Sequence, residues 1–346
     1  MVDKPTIKKD RLRGLGLISG GLDSLTACLL IKQQGIEVIG LNFKSPFCQY
    51  ESRFDIFHEK LEIKIYCLSL GDDFLDIIRN PKFGYGRNLN PCVDCRIYIL
   101  KKAKEFMKKI KADFIFTGEV LNQRPKSQHM KALKIVEKES GLEGKLLRPL
   151  SALHLKPTFY EEEGLIDRSK LMGIKGRSRK VQLDLAKEHG LLEEYFACGG
   201  CLLTDINFSN RMRDSLKFNN ALKIGDMNIL KYGRHFRFKN SKIIVGRNEI
   251  ENNLLLQLKK PNDLIMEVQD VPGPITIIQD ELNEEILKYA ASLTLRYSDL
   301  EESKGKVVYG KDYQNLSKEI FSEIENDEIL KKYILSFYIL NIMELS

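Results

Sequence analysis

The chain is predicted to be an α/β protein: a doubly wound parallel sheet followed by a smaller α+β domain. Three observations carry that expectation. Apolar strand-length runs alternate with helical patterns over the first half, a glycine turn sits where the first strand becomes the first helix, and beyond about residue 226 the texture changes to short strands and turns.

Gly14–Ser19 is a short buried strand, and Leu22–Gln34, with Leu25, Leu29 and Leu30 at helical spacing, is the helix after it. Ile36–Phe43, Ile63–Leu70 and Asp113–Thr117 are the next strands, with helices predicted at Arg53–Leu61 and Cys95–Ile110 between them. In such sheets ligands sit at the carboxyl ends of the strands, here around Ser19 and Thr117. Residues 150–203 extend this domain through Pro157, the basic run Gly176–Lys180 and a helix at Val181–His189. Strands are expected at Asn228–Leu230, His235–Phe238, Lys242–Val245, Leu264–Val268, Ile275–Ile278 and Lys306–Tyr309. Helices are expected at Asn283–Leu293 and, amphipathic, over Lys318–Leu345. The division is 1–205, 206–310 and a C-terminal helix in 311–346.

An apolar fraction of 43% against 30% charged residues excludes a disordered chain. The polar start Met1–Pro5 does not read as a signal peptide, and the apolar run Tyr333–Leu345 is shorter than the ~20 residues of a membrane span. A cytoplasmic protein with no membrane partner is expected. In that compartment seven cysteines imply metal or redox chemistry more readily than disulfides, and Cys92–Cys95 and Cys198–Cys201 are both C-x-x-C pairs. Cys28, Cys48 and Cys67 are expected to be small core residues. The net charge is +7, with ten Lys and Arg between Thr204 and Arg247 against Asp205, Asp214 and Asp226. That stretch suits a phosphate backbone. The lysines at 101, 102, 104, 108, 109 and 111 read more simply as a solvated helix face.

Ser19-Gly20-Gly21-Leu22-Asp23-Ser24 has the chemistry of a phosphate loop. Glycines let backbone amides approach phosphate oxygens, Ser19 and Ser24 add hydroxyls, and the following helix presents its N-terminus to the anion. Asp23 is a candidate oxygen ligand for Mg²⁺. Beyond the fourth strand, Glu119, Asn122, Gln123, Arg124, Lys126, Ser127 and Gln128 form a polar cluster, in which Arg124 suits stabilisation of a departing pyrophosphate.

The string SGGLDS resembles the signature of the N-type ATP pyrophosphatases, which adenylate a carbonyl oxygen. The resemblance implies adenine against Leu41–Phe43, with Phe43 in contact, and Thr117 and Gly118 on the nucleotide's other side. Within that superfamily, Asn90-Pro91-Cys92-Val93-Asp94-Cys95 with Gly199-Gly200-Cys201 resembles the tRNA 2-thiouridylase and 4-thiouridine synthetase group over roughly residues 12–205. It implies catalytic Cys92, Cys95, Cys201 and Asp23, an ATP-dependent sulfur insertion into a tRNA base, and a sulfur donor, either a cysteine desulfurase or free sulfide. Three cysteines suit a [4Fe-4S] cluster, or a persulfide on one thiol resolved by another. Cys198 is a candidate fourth ligand, and with it a structural zinc is the alternative. A homodimer is a further expectation.

Gly233–Phe238, Lys242–Glu249 and Val271-Pro272-Gly273-Pro274 resemble the RNA-binding domain of the NFACT proteins over about residues 228–310. Arg234, Arg237 and Arg247 are the candidate RNA contacts; Phe236 and Phe238 belong either to that face or to the core. Two other functions compete: an amide-forming pyrophosphatase acting on a small molecule with a structural zinc, and a non-enzymatic RNA-binding translation factor.

Overall fold

The computed structural model describes residues 12–49, 54–192 and 200–335. Two compact units divide between Cys201 and Leu202.

In the first unit the elements in order are β1 (Arg13–Leu17), α1 (Leu22–Lys32), β2 (Glu37–Lys44), α2 (Asp55–Glu59), β3 (Lys64–Ser69), α3 (Phe74–Arg79), α4 (Cys92–Ile110), β4 (Phe114–Thr117), α5 (Met130–Ser140), β5 (Leu146–Leu147), α6 (Phe159–Glu162) and α7 (Lys180–Glu188). All five strands are parallel, in the order β3-β2-β1-β4-β5. Both faces of this sheet are covered, as parallel sheets require. Strand side chains alternate between the faces. Phe114 and Phe116 pack with Leu22, Leu25 and Leu29 of α1 on one side, while Leu15, Leu17 and Ile115 meet Val93, Ile97 and Leu100 of α4 on the other. Each buried leucine of this kind contributes roughly 1.5–3 kcal/mol. Strands are added to one side of β1 as far as β3 and to its other side from β4 on, so the switch of strand order lies between β1 and β4, and the β1–α1 turn and the end of β4 face one crevice, the place such sheets use for ligands.

The second unit contains α8 (Ile206–Phe218), β6 (Arg234–Phe238), β7 (Ser241–Val245), α9 (Glu249–Leu258), β8 (Leu264–Val268), β9 (Thr276–Gln279), α10 (Glu284–Arg296), β10 (Lys304–Gly310), β11 (Lys318–Glu323) and α11 (Asp327–Tyr333). Its six strands form one antiparallel sheet, β11-β10-β8-β9-β7-β6. Ile286, Tyr289, Ala290 and Leu293 of α10 pack on its apolar face.

Three sequence expectations change. Asn228–Leu230 is not a strand; it lies in a 3-10 stretch, Ile224–Lys231. The long helix expected over Lys318–Leu345 is instead β11 followed by the short α11. Lys318–Glu323 pairs residue for residue with β10, and Asn326 starts a new helix by accepting from the Glu328 amide. Residues 336–346 lie outside the described residues. Cys67 is exposed on edge strand β3, while Cys28 is buried as expected. Among the described residues no helix is long and apolar enough to cross a membrane.

Candidate active site

The β1–α1 turn is built by its own side chains. Gly20 takes a positive φ of 83°, which an L side chain rarely adopts. The Ser24 hydroxyl donates to the Gly21 carbonyl at 2.8 Å and accepts from the Ser19 amide at 3.3 Å, closing the loop on itself. Gly21 is the N-cap of α1 and no side chain caps that helix. The N-terminal end of α1 therefore faces the crevice with the polarity that an anion site needs. Asn42 at the end of β2 donates to the Ile18 carbonyl at 2.8 Å, which fixes the neighbouring Phe43 beside the loop strand. Leu22 is buried in the core behind the turn. Asp23 accepts a hydrogen bond at 3.1 Å from Gln182, a buried residue of α7 that the sequence did not single out.

Gly118 closes the other side. A Cβ there would stand 2.5 Å from the Asp23 carbonyl oxygen and 2.7 Å from the Ser24 amide. No flexible side chain can yield, because the obstructing atoms are the loop's backbone. Gly118→Ala is therefore expected to weaken ATP binding by at least about tenfold, the equivalent of roughly 1–3 kcal/mol of overpacking. Isothermal titration with ATP checks it, and unchanged affinity would show that the loop tolerates the displacement.

Beyond Gly118, Glu119 is 2% exposed and meets two arginines. Arg148, itself buried, donates to Oε2 at 3.0 Å, and Arg96 Nε lies 3.0 Å from Oε1. Burial pushes the Glu119 carboxyl up, but the two guanidiniums outweigh it and hold the group below its usual range. Arg96 follows Cys95 in the first turns of α4. The ion pair therefore ties the end of β4 to the cysteine-bearing helix. In sequence Glu119 is legible only as a polar candidate, and Arg96 does not stand out, because its neighbours in the chain say nothing of a partner beyond β4.

The Asn-Pro-Cys-Val-Asp-Cys string forms the start of α4. Asn90 is buried, its carbonyl accepts from the Gly86 amide at 2.7 Å, and its side-chain oxygen accepts from the Cys92 thiol. Asp94 accepts from the Phe83 amide at 3.1 Å. Burial raises the Cys92 thiol, opposed by Arg124, Arg96 and Lys126, so Arg124 acts on this cysteine as well as lying beyond β4. Burial pushes Cys95 up to about 12, opposed by Arg96 and helped by the neighbouring Cys201, Cys92 and Cys48. Cys48 is thus not the core residue expected: it is exposed, in a bridge with Cys201. Cys198 and Gly199 lie outside the described residues. Among the described residues no three His, Cys, Asp or Glu groups converge as the ligands of a metal would.

Comparison with known proteins divides the chain in the same way. Residues 11–156 match the family model described as thiamine biosynthesis protein (ThiI). Residues 233–334 match that of the NFACT protein RNA binding domain. One matched segment lies in each compact unit, and each covers less than half of the chain. Among curated relatives, the chain is similar to the tRNA-specific 2-thiouridylase MnmA of Karelsulcia muelleri (strain GWSS), 24% identical over 249 residues, covering 67% of this chain and 61% of that protein. It is also similar to a tRNA-specific 2-thiouridylase MnmA of Fusobacterium nucleatum, 35% identical over 106 residues, 29% of each chain. The chain thus spans about three fifths or less of the length of these relatives. Among solved structures, a 4-thiouridine synthetase–RNA complex with bound ATP aligns over 52% of this chain and 41% of that chain, with 19% identity and a TM-score of 0.36.

In the NFACT-type domain, the three arginines named from sequence sit differently. Arg234 stacks on Tyr297, 4.3 Å from the ring centroid, and donates to the Gly246 carbonyl at 3.2 Å. Arg247 is exposed and pairs with Glu251 at 3.1 Å. Arg237 is nearly buried between Asp214 at 2.7 Å and Asp280 at 3.0 Å. Phe236 is fully buried and Phe238 stacks on Tyr289 at 4.3 Å, so the aromatic face is core. Lys242 is also internal, 3.5 Å from Asp214, and burial pulls its ammonium down to about 8. Part of the basic stretch therefore holds the domain together.

Proposed function

We propose that this protein is an ATP-dependent tRNA sulfurtransferase that adenylates a base carbonyl and replaces its oxygen with sulfur. The observation that carries this reading is the Arg96–Glu119 ion pair. It couples the crevice bounded by Gly21 and Gly118 to a helix whose first turn bears two thiols.

In this reading ATP binds with its phosphates on the α1 N-terminus and the Ser19 and Ser24 hydroxyls. Phe43 and Thr117 flank the nucleotide, and Asp23, steadied by Gln182, would hold a Mg²⁺ on the pyrophosphate. The oxygen of a uridine carbonyl attacks the α-phosphorus and the bond to pyrophosphate breaks. Arg124 stabilises the charge that develops. Adenylation is needed because a urea-like carbonyl is a poor electrophile. A sulfur carried on Cys201 then attacks the activated carbon, and AMP leaves with the C–O electron pair. Arg234 and Arg247 of the NFACT-type domain contact the RNA backbone, positioning it without reading its sequence.

A [4Fe-4S] cluster on Cys92, Cys95 and Cys201 would supply an open iron to hold sulfide. The thiols as placed do not converge as ligands, so no step is derived through such a cluster. Iron and sulfide analysis of anaerobically purified protein tests it.

The deciding experiment incubates the full chain with ATP, unfractionated tRNA and a small persulfide donor, then digests the tRNA and analyses nucleosides by mass spectrometry. A thiolated nucleoside that requires ATP supports the reading. ATP cleavage to AMP stimulated by an amine and indifferent to tRNA would replace it with the small-molecule synthetase.

A further inference from the structure

The turn after β2 and the segment entering the second unit's sequence meet at Cys48 and Cys201. The two residues stand directly opposite one another in an antiparallel bridge. The Gln49 amide donates to the Gly200 carbonyl at 3.3 Å. That bond joins the residue after Cys48 to the residue before Cys201, which makes 48 and 201 a non-hydrogen-bonded pair. Such pairs hold their Cα atoms about 4.5 Å apart with side chains at their closest. A disulfide spans Cα separations of about 4.4–6.8 Å, so the backbone need not move to form one. Cys48 is exposed and Cys201 half-buried, so an oxidant or reductant can reach the pair. Cys92 and Cys95, the remaining neighbours, are held in the first turn of α4, with Cys92 bonded to Asn90.

We propose that Cys48 and Cys201 are a disulfide-forming pair and that Cys48 is the thiol that resolves sulfur transfer. The second clause rests on the sulfurtransferase reading above. A donor persulfide passes its outer sulfur to the Cys201 thiol and leaves as a thiol. The terminal sulfur on Cys201 attacks the adenylated carbon, and AMP departs. Base and enzyme are then joined through Cys201 Sγ–S–C. The Cys48 thiolate, its proton released to solvent, attacks Cys201 Sγ. The S–S bond breaks, and its electron pair stays on the sulfur now attached to the base. The Cys48–Cys201 disulfide that forms is reduced by an external dithiol, which supplies two electrons and two protons.

The first test uses neither ATP nor tRNA. The full chain is treated with glutathione disulfide, alkylated, digested without reductant and sequenced by tandem mass spectrometry. A Cys48–Cys201 link is expected, reversed by dithiothreitol, lost in Cys48→Ser and retained in both Cys92→Ser and Cys198→Ser. A link from Cys201 to Cys92 or Cys95, or glutathione left on Cys201 with no internal link, overturns the pair. The second test is a single turnover with persulfide-loaded protein. Cys48→Ser should trap an RNA–protein adduct that dithiothreitol releases, whereas release at the wild-type rate overturns the resolving role. If the link forms but wild type thiolates no tRNA, the pair stands and the sulfurtransferase reading falls.

Discussion

Under the proposed sulfurtransferase function, Cys201→Ser is expected to abolish formation of the thiolated base, by about a thousandfold or more, while leaving ATP binding unchanged. A covalent carrier has no substitute once its sulfur is removed, so the loss is of the size seen when a nucleophile is deleted. A hydroxyl cannot accept a persulfide sulfur. The turn proposed to bind the phosphates is closed by bonds among its own residues Ser19, Gly21 and Ser24. The measurement pairs nucleoside analysis with ATP titration on the same protein. Wild-type thiolation by Cys201→Ser would eliminate this cysteine as the sulfur carrier, and a parallel loss of ATP binding would show that the variant is misfolded.

Glu119→Ala is expected to destabilise the first unit by about 3–5 kcal/mol, the cost of breaking a buried ion pair by removing one partner. Arg148 is 1% exposed and cannot turn to water. It keeps Glu137 as a partner, but its Nη2 already has no hydrogen bond within the protein. Arg96 loses its carboxylate too. The pH dependence has a definite sign. The folded carboxyl titrates below its ordinary value, so its contribution is fully present above the unfolded pKa of about 4.3. It is lost as pH falls through the folded value. Urea unfolding of wild type and Glu119→Ala at pH 7 should therefore show the full difference, and the gap should close in more acidic buffer. A gap that stays constant into the acid range would mean that Glu119 is not ionised in the folded protein. Glu119→Gln separates shape from charge: it fills the same space, and its deficit at pH 7 should be smaller but still clear.

The parts of the site that could be recognised in the chain are those whose geometry is local. A turn that needs a positive φ calls for glycine at position 20, and the serine that closes it lies four residues on. Cys92 and Cys95 are three apart, one turn of helix, so they share a face wherever that helix packs. Alternation of Phe114, Ile115 and Phe116 announced a strand buried on both sides. By contrast, Arg237 and Lys242 looked like part of a basic surface. Only the return of α8 beneath the sheet shows that Asp214 pairs with both. Helix α11 was misjudged for the same kind of reason: the apolar pattern after Lys318 suits either a helix or an edge strand, and pairing with β10 decides between them.

The amino-acid sequence by itself determined the parallel α/β class, the glycine turn at Ser19–Ser24 and the thiols at the head of α4, because each depends on neighbours a few residues apart. The tertiary structure decided what those parts meet. Gln182 lies 159 residues from Asp23, Arg96 pairs with Glu119 across two elements, and Cys48 faces Cys201 from a turn that reads as ordinary core. Each of those contacts is set by how the strands order themselves in the sheet and how the later segments fold back on it. A side chain's own neighbours in the chain carry no record of that.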